Sequence, residues 1–294
     1  MRIECNHGVF AMAAGLVAAG YNMYNTGVVD IDVLSLARKA SQLQIDDSIR
    51  FWFECARTNQ VSVNPYWPRG HYAVISAYQG KLPSDLDPQH LDWIQYIPMA
   101  LLVMYEATID LFGIYQDMVT KREPGWKPAY HHGLTALQDF FETDCTERVL
   151  FVPNLLMSPH ATDFVQKNDV TVVIGATLDA ESIVHEVLHT SLAACRDTLA
   201  AYAAQRGTQG FACPDAMREL GYMRDNSVKS CVNAIEECIV RVLSSLMTGG
   251  GEKRLETHAD VGFLGAAQVG RIFQENRPKS KEIADFISFL LERI

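Results

Sequence analysis

Two histidines four residues apart constrain this chain more than any other feature. His185 and His189 enclose Glu186, Val187 and Leu188. On an α-helix, residues four apart lie on one face about one turn apart, so both imidazoles can reach a single metal ion at roughly 2.1 Å. The chain therefore has to fold so that one face of this helix borders a polar site while its apolar side chains pack in the core.

The surrounding sequence predicts that this segment is a helix that follows a strand. Residues 170–174 are β-branched and apolar, and Gly175 closes the run. Asp179 suits the N-cap of a helix over 180–204, and Glu181 in the first turn suits the helix dipole. The histidines thus lie on a capped amphipathic helix, which favours a metal site over an accidental match of residue types.

The residue types predict a zinc ion and a hydrolytic reaction. Zinc accepts imidazole and carboxylate ligands, and it lowers the pKa of a bound water towards ~7. Glu186 directly follows the first ligand, where its carboxylate can reach that water and accept its proton as general base. The sequence therefore predicts a zinc-activated water, His185 and His189 as ligands, and Glu186 as the catalytic residue.

A third ligand is needed, and two glutamates compete for this role. Leu192 and Cys195 stand where a metzincin has glycine and histidine, and the Glu-Gly-Cys-Leu string of peptide deformylase is absent. The helix predicted near 227–248 carries Glu236 and Glu237. Glu236 flanks the apolar stripe of that helix, where an ionised carboxylate needs a partner or a metal, whereas Glu237 lies on the polar face.

These motifs together resemble the gluzincin branch of the zincin superfamily of metallopeptidases, which is thermolysin-like. They also resemble bacterial families of unknown function that pair HExxH with a later Glu-x-x-Val-Arg helix. The resemblance runs from the strand predicted at 148–152 to the helix that ends near 248. It implies the ligand and base roles given above, and it implies that the strand at 148–152 is an edge that binds extended peptide.

The resemblance also favours Glu237 over Glu236 as the third ligand. In the gluzincin helix, large apolar residues follow the ligand at fixed positions. Counting from Glu237 gives a matching set: Ile239, Val242, Leu243 and Leu246. The departure is Arg241, which stands where the family has an aspartate that orients a ligand histidine. A different residue must then supply that contact.

A peptidase of this type also needs a donor for the oxyanion that develops on the attacked carbonyl. Tyr222 and His160 lie in loops or helix ends between the motif elements, and His258 is a third candidate. A surface or packing role is the competing explanation for each of the three.

The whole chain is predicted to be α+β and mainly helical, with a zincin-like active-site helix on a small antiparallel sheet. An N-terminal helical portion would span 1–125 and a metallohydrolase portion 126–294, with a boundary in the proline- and glycine-containing stretch 121–128. The two portions could also form one continuous domain. Further helices are predicted near 7–20, 30–40, 44–58, 97–118, 214–223 and 280–293.

Charge and composition restrict the partners. The formal net charge is -10 and no lysine- or arginine-rich run occurs, which argues against nucleic acid. The apolar stretch 97–114 is broken by Glu106 and Asp110, so no membrane span is expected. Scattered cysteines without a CxxC pair are typical of a reducing compartment. We therefore expect a soluble, cytoplasmic protein with a peptide or protein substrate, although the apolar stretch 9–19 leaves secretion open.

The resulting prediction is a zinc metallopeptidase of the gluzincin type. The first alternative is a catalytically inactive zincin-fold protein that binds metal or a regulatory partner. The second, from another class, is a helical interaction protein in which the motif is accidental.

Overall fold

The computed structural model describes residues 1–22, 30–55, 68–80, 91–158, 162–167 and 170–294. They form an α+β structure that is mainly helical, as the sequence predicts. The helices before the sheet are α1 (His7–Ala18), α2 (Ile31–Ser41), α3 (Asp47–Glu54), α4 (Pro68–Gln79), α5 (Leu91–Ile94), α6 (Ile97–Ala107) and α7 (Ile109–Phe141). The strands are β1 (Val149–Pro153), β2 (Thr162–Lys167) and β3 (Val170–Gly175). After them come α8 (Ala180–Leu192), α9 (Arg196–Arg206), α10 (Pro214–Glu219), α11 (Val228–Met247), α12 (Glu252–Asp260), α13 (Ala266–Asn276) and α14 (Ile283–Leu291).

The sheet is mixed, which corrects the prediction of an antiparallel sheet. Its strand order is β1-β3-β2, with β1 parallel to β3 and β2 antiparallel to β3. Only two residues separate β2 from β3, and so short a connection joins antiparallel strands. The sequence does not mark β2 as a strand, because polar residues occupy both of its ends and hide the alternation that is typical of strands.

The outer edge of β1 is covered, so β1 is not the open edge that the resemblance implied. Ile3 forms a parallel bridge with Phe151. The N–H of Glu4 donates to the carbonyl of Phe151 at 3.0 Å, and the N–H of Phe151 donates to the carbonyl of Arg2 at 3.0 Å. β2 lies at the opposite edge of the sheet.

α8 carries the histidine motif and begins where the sequence predicts. The side chain of its N-cap, Asp179, accepts a hydrogen bond from the N–H of Ser182 at 2.8 Å. The predicted single helix over 180–204 is divided, since residues 193–195 form a 3-10 turn between α8 and α9. One side of α8 packs in the core through its apolar residues: Ile183, Val184, Val187, Leu188 and Leu192.

α11 packs directly against α8 and brings the two competing glutamates to it. Ser227 caps the N-terminus of α11 by accepting from the N–H of Ser230 at 3.3 Å. The middle of the predicted apolar stripe is buried, at Val232, Ile235, Ile239 and Val242, whereas its first member, Val228, is 40% exposed and its last, Leu246, is half-buried. Glu236 and Glu237 are buried as well, with 2% and 6% of their surface exposed.

The stretch 121–128, where the sequence suggested a loop-like boundary, is helical. It lies in the middle of α7, which contains Pro124 and Pro128. A proline removes one backbone donor and disfavours a helix, but here Trp126 and Tyr130 lie buried in the core and hold the helix in place. One hydrophobic core takes in residues from both sides of the predicted boundary. Tertiary packing therefore overrides the local proline signal.

The segment predicted as one helix over 97–118 is bent between α6 and α7 at Thr108. Within the described ranges, no single helix is long and apolar enough to cross a membrane. Two helical segments, Asp92–Ala107 and Ile109–Phe141, would together be long and apolar enough to cross a membrane, but they are bent by 79° relative to each other.

Candidate metal centre

The two histidines of α8 turn towards each other at the surface of the core. The Nε2 atoms of His185 and His189 lie 3.2 Å apart. Each histidine side chain is 16% exposed, so both are largely buried but still reach solvent. This arrangement follows from the four-residue spacing on a regular helix, as the sequence predicts.

Glu237 of α11 completes a cluster of three donor atoms. Its Oε2 lies 3.7 Å from Nε2 of His185 and 3.4 Å from Nε2 of His189. Four ligands arranged tetrahedrally at roughly 2.1 Å from a zinc ion lie about 3.4 Å from one another. The three separations in this cluster, 3.2, 3.4 and 3.7 Å, are close to that value. The two imidazole nitrogens and the carboxylate oxygen therefore fit three corners of a zinc tetrahedron.

Glu236 contacts the opposite side of the same histidine. Its Oε1 lies 2.8 Å from Nδ1 of His189, and its Oε2 accepts from Nε of Arg196 at 3.1 Å. Burial opposes the charge on Glu236, but the hydrogen bond from His189 and the charges of His189 and Arg196 lower its pKa below the usual value. An ionised Glu236 accepts a hydrogen bond from Nδ1–H, which leaves Nε2 of His189 directed at the cluster.

Arg241 binds Glu237 through the carboxylate oxygen that does not face the histidines. Its Nε donates to Oε1 of Glu237 at 2.7 Å, and its Nη2 donates to the hydroxyl of Tyr222 at 2.6 Å. Burial disfavours the charge on Glu237, but His185 and Arg241 outweigh it and keep the pKa of Glu237 well below its ordinary value. Glu237 is therefore an anion with one oxygen bound to arginine and the other turned towards the histidines.

Glu186 has a different environment from the other two glutamates. It is 5% exposed, and Thr162 of β2 donates a hydrogen bond to its Oε1 at 2.6 Å. Burial raises the pKa of Glu186 and outweighs the opposing effects of His185, His189 and Thr162. The site thus contains carboxyl groups whose pKa values are shifted in opposite directions, an arrangement that separates a ligand from a proton acceptor.

Comparison with known proteins finds no relative of this chain. It matches no protein-family model, no curated protein and no solved structure. The assignment to the gluzincins therefore stays a prediction from the sequence motifs, and the function has to be argued from the site itself.

The three candidates for an oxyanion donor have different outcomes. Tyr222 is half-buried beside Glu237 and Arg241, so the structure brings it to the cluster. His160 lies outside the described residues. His258 is 3% exposed, and its Nε2 is 2.9 Å from the hydroxyl of Ser245. His258 belongs to a separate network with Ser245 and Glu181.

Three residues of the site were missed by sequence reasoning: Thr162, Phe164 and Arg196. Thr162 and Phe164 are two apart on β2, so they lie on the same face of the sheet. Phe164 stacks on His189, with ring centroids 5.4 Å apart and an angle of 3° between the planes. Arg196 comes seven residues after His189, about two helical turns further along the chain, and that spacing is the only sequence signal for its position.

Proposed function

We propose that the chain is a zinc-dependent hydrolase, specifically a gluzincin-like metallopeptidase. The observation that carries this proposal is the convergence of His185 Nε2, His189 Nε2 and Glu237 Oε2, whose separations of 3.2, 3.4 and 3.7 Å suit a tetrahedral ion. When bound, zinc supplies Lewis acidity that lowers the pKa of a coordinated water towards ~7.

The surroundings of the cluster support a monodentate Glu237. Because Arg241 already holds Oε1 of Glu237, only Oε2 is directed at the histidines. Glu236 supplies the contact that the family's aspartate makes elsewhere, although it reaches His189 from the position before the ligand and not from four positions after it. A carboxylate on the far nitrogen of a ligand histidine fixes the ring and raises its basicity.

Glu186 is the general base of this proposal. The hydrogen bond from Thr162 fixes its carboxylate next to the cluster, and its raised pKa lies closer to neutral pH than that of an ordinary glutamate. A base accepts a proton most efficiently when its pKa is near the working pH. Glu186 takes the proton from the attacking water and later transfers it to the leaving amine.

Tyr222 is the proposed donor to the developing oxyanion. Arginine can only donate, so the Tyr222 oxygen accepts from Arg241, and its own O–H hydrogen-bonds to the Glu237 carboxylate, a bond that a substrate carbonyl would have to replace. Burial and the charge of Glu237 raise the pKa of Tyr222, which keeps the hydroxyl protonated. A protonated hydroxyl next to the cluster can donate to the carbonyl oxygen of a substrate.

β2 supports a peptide as the substrate. It is an edge strand that pairs with β3 alone among the strands of the described residues. Its residues Thr162 and Phe164 touch the proposed base and a proposed ligand. An extended peptide that adds to such an edge forms backbone hydrogen bonds along β2 and passes the cluster.

One observation favours the inactive alternative. The glutamates of α11 already have cationic partners, since Arg196 pairs with Glu236, and Arg241 with Glu237. A protonated His189 between both carboxylates completes an ion network that needs no metal. The two proposals therefore differ first in zinc content and then in turnover.

The test measures zinc content and peptide hydrolysis on the same preparation. We expect close to one zinc per chain after purification without chelator, and cleavage of a mixed peptide library. Glu186→Gln should keep the zinc and lower kcat by roughly 10²- to 10⁴-fold, because the amide preserves the shape of the side chain but cannot accept a proton. Zinc below about a tenth of an equivalent would contradict a metal centre. Full zinc without cleavage would favour the inactive alternative.

A further inference from the structure

Arg196 lies on the Nδ1 side of His189, connected to that proposed ligand through Glu236, and only its Nε is engaged there. Its Nε donates to Oε2 of Glu236 at 3.1 Å, and the other oxygen of that carboxylate contacts His189. Its side chain is 58% exposed. In the part of the chain that the structure describes, its terminal amino groups make no hydrogen bond. The guanidinium thus has donors directed at solvent, one carboxylate away from a ligand histidine.

The second arginine of the site, Arg241, is held more tightly than Arg196. Its Nε donates to Glu237 and its Nη2 to the Tyr222 hydroxyl, and its Cζ lies 5.1 Å from the ring of Phe263 and 5.5 Å from the ring of Tyr222. Its side chain is 29% exposed, half the value of Arg196. Arg241 supports the cluster, whereas Arg196 can bind a further group.

The charge around the cluster favours a negatively charged group as the partner of Arg196. Glu186, Glu236 and Glu237 are countered by Arg196 and Arg241, and the proposed zinc ion adds two positive charges. With zinc bound, the site has an excess of positive charge, although the whole chain carries a formal charge of -10. A planar guanidinium with free parallel N–H groups matches the geometry of a carboxylate.

We infer that Arg196 binds a carboxylate of the substrate, which is either the C-terminal carboxylate or an acidic side chain. This inference rests on the proposed function and adds the class of substrate. The preferred substrates are peptides that place one negative charge beside Glu236 when the scissile bond lies at the cluster.

Binding and turnover are measured with matched peptide libraries of alanine, leucine and phenylalanine. The first library has a free C-terminal carboxylate, the second has a C-terminal amide, and the third is the amide with one glutamate added. Affinities are measured by calorimetry on the zinc-loaded Glu186→Gln protein, and kcat/KM on the protein with Glu186 intact. Arg196→Gln removes the guanidinium, Arg196→Lys keeps the charge without the fork, and Arg206→Gln is a matched control on the same helix.

We expect a carboxylate-bearing library to bind at least about tenfold more tightly than the neutral amide, because the contact is charge-assisted and bidentate. Preference for the first library assigns the C-terminus, and preference for the third assigns an acidic side chain. Arg196→Gln should remove the preference while zinc content stays unchanged, Arg196→Lys should reduce it, and Arg206→Gln should keep it. A merely structural Arg196 would weaken all three libraries equally.

Two results would overturn the inference and leave the proposed function standing. The first is cleavage of the libraries without preference for a carboxylate. The second is a preference that persists in zinc-loaded Arg196→Gln. If the protein neither binds nor cleaves any library, the proposed function fails and the inference fails with it.

Discussion

Glu236 and Glu237 are adjacent on α11 but contact His189 through different ring nitrogens. Consecutive residues of a helix point about 100° apart, so they cannot present carboxylates to one point in the same way. Glu237 directs Oε2 at Nε2 of both histidines, and Glu236 reaches around to Nδ1 of His189. The pair therefore holds His189 from both sides.

Substitution of each glutamate should separate the effects of these two contacts. We expect Glu237→Gln to lower zinc affinity far more than Glu236→Gln, because the first loses a ligand and the second loses a contact to a ligand. Loss of a residue that contacts a metal ligand typically lowers metal affinity by roughly 10- to 100-fold. The measurement is competition for zinc with a chelating dye. The reverse order of affinities would move the ligand to Glu236.

Zinc binding should also release a proton from His189. Burial disfavours the charged ring, but hydrogen bonds to Glu236 and Glu237 outweigh it and raise its pKa to about 10. Below that pH the metal-free ring is an imidazolium, and zinc needs Nε2 deprotonated, so apparent affinity falls as pH falls. Calorimetry at about pH 8 in two buffers of different ionisation enthalpy counts the protons.

Glu236→Gln is the matched control for this count. It removes one of the carboxylates that raise the pKa of His189, so it should reduce the number of protons released. A binding enthalpy that is the same in both buffers would show that His189 is already neutral in the metal-free protein.

At the scale of elements, α8, α11 and α12 are joined by a second polar network behind the cluster. Ser245 of α11 donates to Oε1 of Glu181 on α8 at 2.5 Å, and His258 of α12 contacts the same hydroxyl at 2.9 Å. Arg254 donates to the other oxygen of Glu181 at 3.0 Å. The network fixes the first turn of α8, one turn before His185.

His258 should make the stability of this arrangement depend on pH. Burial lowers its pKa to about 4, and the charges of Arg241 and Arg254 add to the effect while Glu181 opposes it. The pKa of His258 is therefore about 6.5 in the unfolded chain and lower in the folded one, so between these two values the unfolded chain binds more protons than the folded chain. The contribution of His258 to the free energy of unfolding is complete above this pH window and is lost as pH falls through it. Between about pH 7.5 and pH 5 the loss from His258 is on the order of 2 kcal/mol.

The comparison that isolates His258 is urea unfolding of the unmodified protein and of His258→Gln at both pH values. Glutamine keeps a hydrogen-bonding group near Ser245 but does not titrate. The variant should lose less free energy of unfolding than the unmodified protein when pH falls. Equal losses in both proteins would show that His258 does not couple folding to pH.

These elements also show which parts of the fold a sequence can predict. α8 and α11 have local signals, namely caps and an apolar stripe. The start of α8 and both ends of α11 were closely predicted, whereas α8 ends at Leu192 and not near 204. β2 has no such signal, and the contacts from Thr162 and Phe164 to α8 arise only when distant segments pack together. α7 has a misleading signal, since two prolines in its middle suggest a break that buried packing prevents. The histidine pair that the structure brings together has a local signal, its four-residue spacing on one helix, whereas the contacts that support the cluster have none.

At the scale of the whole molecule, the cluster is an additional link between elements of one core. α8 and α11 pack against each other. In addition, α8 packs against α7, and α11 packs against α13, so the proposed ligands are fixed by the same packing that holds the chain together. An ion bound by His185, His189 and Glu237 would cross-link α8 to α11. Because these donors converge only in the folded chain, metal-binding free energy adds to folding free energy.

Removal of zinc should therefore lower the melting temperature of the whole protein. Stabilisation by a ligand reaches roughly 4 kcal/mol when free zinc exceeds the dissociation constant by about 1,000-fold, and a chelator removes all of it. His185→Ala and His189→Ala should melt at lower temperature than the unmodified protein in zinc, and chelator should not lower their melting temperature further. The difference between scans with zinc and with chelator, measured for all three proteins, isolates the contribution of the ion from that of the side chains. A melting temperature that ignores both the substitutions and the chelator would show that the cluster of α8 and α11 holds together through its own ion pairs, with no metal in the core.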